Sequence, residues 1–271
     1  MNIFLTPSMV EDLQACPFAF QQKHLKRTVK TSKFERTPAT QLGNIVHGVL
    51  DTFHKRGSHT QLGLDDLLRL LEQKWDGSVY EDYEEELAHR KMAQLMLTDF
   101  YQKTQGETPC QDRQSEKFHE ITSLRLGQHK LQLRGKFDRL DIFADGTVEL
   151  IDYKTGSPSS GLPDEKELGE SLANLLYYRL VLDLYPNATS VVISHYYLGS
   201  KRKVSVRYTS TIFQAAKDHL LGLLDQLEEG IAPPLENQGC AWCLVRRHGK
   251  CPRFKQETLP ELSGDLTIMD F

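Results

Sequence analysis

The sequence predicts an α/β protein in which a mixed β-sheet is flanked by helices and preceded by a helical region. Apolar residues recur at helical spacing over roughly the first hundred positions. From about Phe118 the pattern changes to β-rich runs separated by glycine-containing turns. A long helical segment then separates the third run from the fourth, as a crossover between parallel strands requires. Together these observations predict a central sheet with helices packed against it.

Composition and charge narrow the class of protein. The chain has 271 residues, of which 39% are hydrophobic and 26% charged, as in soluble globular proteins. Its longest apolar stretch, 175–184, is interrupted by Arg179 and Asp183, which argues against a membrane span. The N-terminus lacks the basic region and apolar core of a signal peptide, so we expect a cytoplasmic protein. A net charge of −4 argues against a general polyanion-binding surface, and any basic site must be local.

The helical region, about 1–114, begins with capping residues. Thr6 or Ser8 can cap a first helix, Pro7 suits its first turn, and the helix is expected to run toward Leu25. Further helices are predicted at 39–56, 64–75 and 79–103 from the spacing of their apolar residues. The sequence therefore predicts that the first hundred residues are entirely helical.

The predicted sheet core, about 115–230, has turn residues at regular positions. Gly127-Gln128 and Asp145-Gly146 are expected to form hairpin turns between strands at 118–126, 131–143 and 148–153. A helix at 165–185, strands at 190–198 and 204–208, and a helix at 211–228 follow. We expect these elements and a cysteine-rich segment, 231–255, to form one domain over 1–255, followed by a tail at 256–271.

Two carboxylates and a lysine are expected to converge on the sheet. Strand alternation places Asp152 and Lys154 on one face, and Asp138 and Asp152 are equally far from the Asp145-Gly146 turn. Carboxylates this close repel unless a cation such as Mg²⁺ or Mn²⁺ neutralises them. Such an ion activates water for phosphodiester hydrolysis, and a nearby lysine can position the nucleophile. The residues alone equally allow surface ion pairs on a solvated sheet edge.

The surrounding motifs resemble a known family. Gly-x-x-Asp-Arg-x-Asp at 135–141, Asp-Tyr-Lys-Thr-Gly at 152–156 and Gly-x-x-x-His at 43–47 are similar to the RecB/AddB-type branch of the PD-(D/E)xK nucleases. This resemblance implies a restriction-endonuclease-like fold. It also implies that Asp138, Asp152 and Lys154 are catalytic, and that the metal ligands are His47, Asp138, Asp152 and the backbone carbonyl of Tyr153.

Candidate DNA contacts come partly from the same resemblance. The family's Gln-x-x-x-Tyr motif has Asn174 in place of glutamine and retains Tyr178. Asparagine keeps the amide but is one methylene shorter, and either tyrosine at 177–178 can equally be a packing residue. Basic residues near the C-terminal cysteines can bind phosphate. The candidate DNA-binding residues are Arg139, Asn174, Tyr178, Arg246 and Arg247.

Four of the five cysteines have spacing typical of a metal or cluster site. Cys240, Cys243 and Cys251 lie close together, and Cys16 precedes a proline on the first helix. Four thiolates can hold zinc or an iron-sulfur cluster, and spacing alone does not choose between them. The pattern is similar to the iron-sulfur staple of AddB-type and CRISPR-associated RecB-like nucleases, which implies a 4Fe-4S cluster here. Cys110 lies outside the pattern.

The motifs favour a metal-dependent DNA nuclease over other functions. The resemblance implies exonuclease activity on single-stranded DNA or DNA ends, in repair, recombination or CRISPR adaptation. The sequence contains no Gly-x4-Gly-Lys-Ser/Thr phosphate loop and so lacks a helicase motor. We therefore expect the protein to work alone or with a partner such as a helicase or another DNA-processing protein. The alternative is a non-catalytic DNA-binding or scaffold module.

Overall fold

The computed structural model describes residues 1–29, 37–156 and 161–254. The predicted tail at 256–271 lies outside these residues. The strands are β1 (Asn2–Leu5), β2 (Asp112–Leu126), β3 (His129–Ile142), β4 (Thr147–Lys154), β5 (Ser190–Tyr197) and β6 (Arg202–Arg207). The helices are α1 (Pro7–Ala15), α2 (Pro17–Phe20), α3 (Pro38–Lys55), α4 (Leu64–Lys74), α5 (Tyr83–Thr104), α6 (Glu165–Glu170), α7 (Leu172–Leu184), α8 (Ser210–Glu228) and α9 (Leu244–Arg247). A π-helical turn, Gln21–Leu25, follows α2.

The strands form one mixed sheet, as the sequence predicts. Its order is β1-β3-β4-β5-β6, with β2 paired to the other edge of β3. The β2–β3, β3–β4 and β5–β6 pairs are antiparallel, whereas β1–β3 and β4–β5 are parallel. Helices α6 and α7 make the crossover between the parallel strands β4 and β5. The architecture is consistent with the restriction-endonuclease-like expectation.

The long strand β3 is shared by two shorter strands on one edge. β1 pairs with residues 130–133 and β4 with residues 139–142, while β2 follows the opposite edge of β3 over most of its length. Residues 134–138 therefore lie between the two partner segments, and we call this stretch the β3 fork. The fork contains Asp138, which lies directly beyond the last hydrogen-bonded pair of the β3–β4 ladder.

The two faces of the sheet bury separate apolar cores. One core contains Leu150, residues of β1, β3 and β5, and the packed faces of α1, α7 and α8. The other contains Ile151 and Tyr153 of β4 and the packed faces of α3, α4 and α5. The alternation predicted for β4 is thus observed, because Ile151 and Tyr153 share a core and Asp152 lies on the opposite face. Apolar burial on both sides fixes the register of β4 and with it the position of Asp152.

The N-terminal prediction was wrong in two respects. Residues 2–5 form β1 rather than a coil before a helix, and they pair with β3 more than a hundred residues away. The first helix does not continue to Leu25, because it ends at Cys16, which is extended and caps the next helix at Pro17. A proline inside a helix removes a backbone hydrogen bond and clashes with the preceding turn, so the chain restarts there.

Two further boundaries also differ from the sequence prediction. The segment 165–185 is two helices, because Ser171 is extended and its side chain caps α7 at the Asn174 N–H. The second strand, β2, begins at Asp112, a few residues before the expected start of the sheet core at about 115. Among the described residues, no helix combines the length and apolarity that a bilayer crossing requires.

Candidate active site at the sheet fork

Where β3 and β4 separate, the Asp138 carboxylate accepts a main-chain hydrogen bond that a strand carbonyl would otherwise accept. The ladder between the two strands ends at the Arg139–Ile151 pair. Beyond it, the N–H of Tyr153 donates a 2.9 Å hydrogen bond to Asp138 Oδ2 rather than to a strand carbonyl. The register places Asp138 opposite Asp152, in agreement with the hairpin expected from the Asp145-Gly146 turn. A carboxylate is thereby fixed at the end of the hairpin by a main-chain contact.

His47 reaches the fork from α3, on the side of the second core. Thr37 caps this helix through a reciprocal capping box with Thr40, and apolar residues such as Val46 and Leu50 bury its inner face. His47 Nδ1 lies 3.3 Å from Asp138 Oδ1. Burial alone would lower the pKa of His47, but the hydrogen bond and charge of Asp138, the charge of Asp152 and a hydrogen bond to the Tyr153 backbone outweigh it and raise this pKa.

Asp152 and Lys154 form a pair on the opposite face of β4. The Asp152 residue is only 9% exposed, and Lys154 Nζ lies 2.6 Å from its Oδ2. The same Oδ2 accepts no hydrogen bond of good geometry within the described residues, so its second lone pair is unsatisfied. Burial would lower the pKa of Lys154, but the adjacent Asp152 carboxylate and the charges of Glu11 and Asp138 raise it.

The donor set fits a divalent cation. An imidazole nitrogen from His47, carboxylate oxygens from Asp138 and Asp152, and a main-chain oxygen from Tyr153 are ligand types that Mg²⁺ and Mn²⁺ accept. The Asp152 Oδ2 supports this fit, because it contacts the Lys154 ammonium without a hydrogen bond of good geometry and so retains lone-pair capacity for a cation. His54 of the second core supports this part of β4. Its ring is nearly parallel to that of Tyr153, and its Nε2 lies 2.9 Å from the Tyr153 hydroxyl.

Four residues near the site were not singled out from the sequence. Burial raises the pKa of Glu11 of α1, the charge of Lys154 lowers it, and the charge of Asp152 raises it, so that the pKa is raised overall. Burial and the charges of Asp152, Asp138 and Glu11 raise the pKa of Tyr177, whereas Tyr178 stacks on Tyr208. Glu116 of β2 and His195 of β5 complete the set. Helical spacing or strand position alone gave no signal, because these residues come together only through the tertiary fold.

Asn174 lies in the interior of the protein. It is 0% exposed, its Nδ2 donates to the Leu168 carbonyl at 2.9 Å, and its Oδ1 lies 3.0 Å from His195 Nε2. His195 pairs with Asp152 in the β4–β5 register, so Asn174 is linked through one ring to the strand position of Asp152. A direct DNA contact by Asn174 is incompatible with this burial. Its amide instead joins α6, α7 and β5.

The remaining predicted DNA contacts differ in their surroundings. Tyr178 stacks on Tyr208 with ring centroids 4.8 Å apart, away from the carboxylates. Arg246 is half-buried and lies over the Phe254 ring, and Arg247 is exposed on α9. Of the predicted set, Arg247 is the residue whose side chain is most open to a phosphate.

Arg139 is buried, which corrects its prediction as a DNA contact. The residue is 1% exposed, and its guanidinium pairs with Asp141 and, at 2.6 Å, with Glu107 Oε2. Arg113 makes two 2.7 Å hydrogen bonds to the same Asp141 carboxylate. A guanidinium enclosed in this way cannot reach DNA. The Asp-Arg-x-Asp motif therefore divides into Asp138 at the site and an ion-pair network behind it.

The four predicted cysteine ligands line one cavity of about 240 Å³, formed where the two ends of the described chain meet. The N–H groups of Ala19 and Leu235 donate to Cys16 Sγ at 3.4 Å, and the N–H of Asn237 donates to Cys240 Sγ at 3.4 Å. Such N–H to sulfur bonds stabilise thiolate charge and tune cluster sites. Cys110 lies in a different cavity. The residues lining the shared cavity include Cys16, Cys240, Cys243 and Cys251.

Comparisons with known proteins show which family of proteins has this sequence pattern. No curated protein matches the sequence. A crystal structure from Eubacterium rectale named "Putative exonuclease" is 15% identical, with a TM-score of 0.49 over 90% of this chain and 88% of that one. The crystal structure of SSO0001 is 14% identical, with a TM-score of 0.36 over 90% and 94% of the two chains. The model of the PD-(D/E)XK nuclease superfamily matches residues 5–248, and the chain belongs to that superfamily.

Proposed function

We propose that the protein is a metal-dependent deoxyribonuclease of the RecB/AddB type, acting as an exonuclease on single-stranded DNA or DNA ends. The observation that carries the proposal is the meeting of His47, Asp138, Asp152 and Lys154 around the β3 fork. Members of this superfamily use divalent metals, and the donor set fits Mg²⁺ or Mn²⁺. A pair of carboxylates, buried at Asp152 and half-buried at Asp138, with a lysine beside it is suited to phosphodiester hydrolysis.

Each residue of the candidate site has its own role in the proposed reaction. His47, Asp138, Asp152 and the Tyr153 carbonyl would hold the cation, which lowers the pKa of a bound water and polarises the phosphate. Lys154 is positioned by Asp152 at 2.6 Å, where its ammonium can orient the attacking water and offset charge on the phosphate. The Tyr153 N–H holds Asp138 Oδ2 from the main chain, while the His47 side chain contacts Asp138 Oδ1. The site is therefore held by main-chain contacts as well as by side chains.

The shared cysteine cavity supports a 4Fe-4S cluster as the second inorganic group. Cys16, Cys240, Cys243 and Cys251 line it, and backbone N–H groups point at two of the sulfurs. The cluster would join α2 to the segment after Pro233 and act structurally. Anaerobically purified protein should show a broad absorbance near the blue end of the visible range together with bound iron and sulfide. Bound zinc without iron would replace the cluster assignment by a zinc site.

Partner and location follow from the same assignment. DNA is the expected substrate, with Arg247 and Arg246 beside the cysteine cavity as phosphate contacts whose contribution falls with salt. A separate helicase or other DNA-processing protein is the expected partner, in repair, recombination or CRISPR adaptation. We place the protein in the cytoplasm.

The test is cleavage of end-labelled single- and double-stranded DNA by anaerobically purified protein with Mn²⁺, Mg²⁺ or EDTA. Wild type should cleave only with metal, and Asp152→Ala should bind DNA without cleaving it. Asp218→Ala, which removes an exposed carboxylate on α8, is the matched control and should cleave normally. DNA binding without cleavage under every metal condition would favour a non-catalytic scaffold module instead.

A further inference from the structure

Glu116 brings a third carboxylate to the fork from the opposite edge of β3. It lies between the Ser115–Arg139 and Lys117–Phe137 pairs of the β2–β3 ladder, opposite Asp138. Ligand atoms of His47, Glu116 and Asp138 all lie within 4.8 Å of one another. The Glu116 side chain is only 17% exposed. The sequence motifs gave no signal for this residue, because β2 carries many charged side chains along its length.

Glu116 forms an ion pair with Lys136, whose side chain can move away from it into solvent. Lys136 Nζ forms an ion pair with Glu116 Oε2, but the Lys136 side chain is 60% exposed. Because most of the lysine side chain is in solvent, its ammonium can leave the carboxylate at little cost in stability. The ammonium is therefore a removable counterion for a carboxylate that remains close to an imidazole and to Asp138.

Asp138 presents one oxygen to each side of the fork. Its Oδ1 faces His47, whereas its Oδ2 accepts from the Tyr153 N–H on the β4 side. Asp152 is not part of the His47, Glu116 and Asp138 group and is neutralised by Lys154. A carboxylate with its oxygens directed to two neighbouring ligand groups is suited to bridge a pair of cations in phosphodiester hydrolysis.

We propose that Glu116, His47 and Asp138 form a second divalent-cation position, and that Lys136 fills it when no cation is bound. With two ions bound, His47 ligates this second ion, and the first ion is held by Asp138, Asp152 and the Tyr153 carbonyl. The inference rests on the proposed function and deepens it, since it names Glu116 as a ligand and sets the number of ions. Mg²⁺ and Mn²⁺ are the cations that this oxygen-rich set with one imidazole would take.

The test is a Mn²⁺ titration of the full chain, with free Mn²⁺ followed by electron paramagnetic resonance. Wild type should bind two ions per chain, and Glu116→Gln should bind one with normal affinity and the other roughly tenfold or more weakly. Glu120→Gln is the matched control, because Glu120 pairs with Arg134 across the same two strands. It should bind two ions as wild type does.

A second variant separates ligation from an ion-pair role and remains informative if Glu116→Gln unfolds. Lys136→Gln removes the competing ammonium and should tighten the weaker ion measurably. Unchanged Mn²⁺ binding in both Glu116→Gln and Lys136→Gln would overturn the inference. Wild type that binds one ion through Asp152, with no effect of Glu116→Gln, would leave the proposed nuclease function intact and reject the second position. Wild type that binds no ion would reject both.

Discussion

At the scale of single residues, Tyr153 shows how backbone and side chain can serve different purposes. Its N–H fixes Asp138, while its carbonyl is the candidate metal ligand. Its ring packs against Phe100 and Tyr196 in the second core, and its hydroxyl contacts His54 Nε2 at 2.9 Å. The main chain thus belongs to the candidate site and the side chain to the core that supports it.

Replacing Tyr153 by phenylalanine should therefore weaken the fold without impairing cleavage. The change leaves a buried His54 nitrogen without its hydroxyl partner, which costs about 1–3 kcal/mol. Urea unfolding should show this loss, and the cleavage rate should stay within about twofold of wild type because no site atom is removed. A large fall in cleavage without loss of stability would show that the hydroxyl itself takes part in the chemistry.

Asp141 gives a pH-dependent contribution to stability. Burial would raise its pKa, but hydrogen bonds and charges from Arg139 and Arg113 lower it to about 2. Because the folded pKa lies below that of the unfolded chain, about 4, this stabilisation is complete above pH 4 and is lost as pH falls toward 2. Asp141→Asn should cost up to about 3–5 kcal/mol at neutral pH, since it removes the carboxylate shared by buried Arg139 and half-buried Arg113 and leaves them only Glu107.

The measurement for Asp141 is urea unfolding of wild type and Asp141→Asn between pH 3 and pH 7. The difference in unfolding free energy between the two proteins should narrow steadily below pH 4. A difference that does not change with pH would assign the effect to packing rather than to charge.

At the scale of elements, the parts that could be predicted from the sequence depend on local signals. The β3–β4 hairpin follows from the Asp145-Gly146 turn and strand alternation, and its register brings Asp138 opposite Asp152. β1 could not be predicted in the same way, because four residues carry too short a pattern and their partner lies at 130–133. Asn174 could not be placed, since helical spacing does not tell which polar side chains point inward. Glu116 has φ 51°, a local backbone kink in β2 with no sequence signature.

The contact between β3 and α7 depends on a glycine. A Cβ on Gly135 would lie 2.6 Å from Leu180 Cδ1, closer than packed atoms can approach. Gly135→Ala should therefore destabilise the protein by about 1–3 kcal/mol through overpacking. The double variant with Leu180→Ala should lose less than the sum of the two single changes, because the alanine removes the obstructing methyl groups.

Thermal unfolding tests this contact against a matched glycine. Gly222 lies in α8, and a Cβ added there would meet no atom within 4 Å, so Gly222→Ala should be neutral or stabilising by up to about 1 kcal/mol. If Gly135→Ala were as mild as Gly222→Ala, the close packing of α7 on the fork would not be a constraint.

At the scale of the whole molecule, the two ends of the described chain are joined at the shared cysteine cavity. Asn237 Nδ2 donates to the Ala15 carbonyl at 2.9 Å, and the Phe18 N–H donates to the Pro233 carbonyl at 3.4 Å. These few polar contacts are mostly exposed, and the local apolar cluster has only Ala19, Val29 and Val245 as buried members among the described residues. A cofactor that joins the four cysteines would add most of the stability at this junction.

Cys16→Ser should therefore reduce bound iron and lower the melting temperature of anaerobically purified protein. The physical reason is that the variant loses the one ligand of the four that lies near the N-terminus of the described chain. Cys110→Ser is the control and should change neither quantity, because Cys110 lines another cavity. Iron content measured beside the melting curve decides the outcome, and equal effects of the two variants would contradict the cluster assignment.

The shared strand β3 also has a consequence for how the chain is made. During synthesis β1 leaves the ribosome long before residues 130–133, and α1 and α2 appear long before the segment that follows Pro233. The apolar side chains of Ile3 and Leu5 therefore lack their strand partners until residues 131–133 have been made. While β3 is still missing, the nascent chain exposes an open strand edge, the kind of intermediate that aggregates or recruits chaperones.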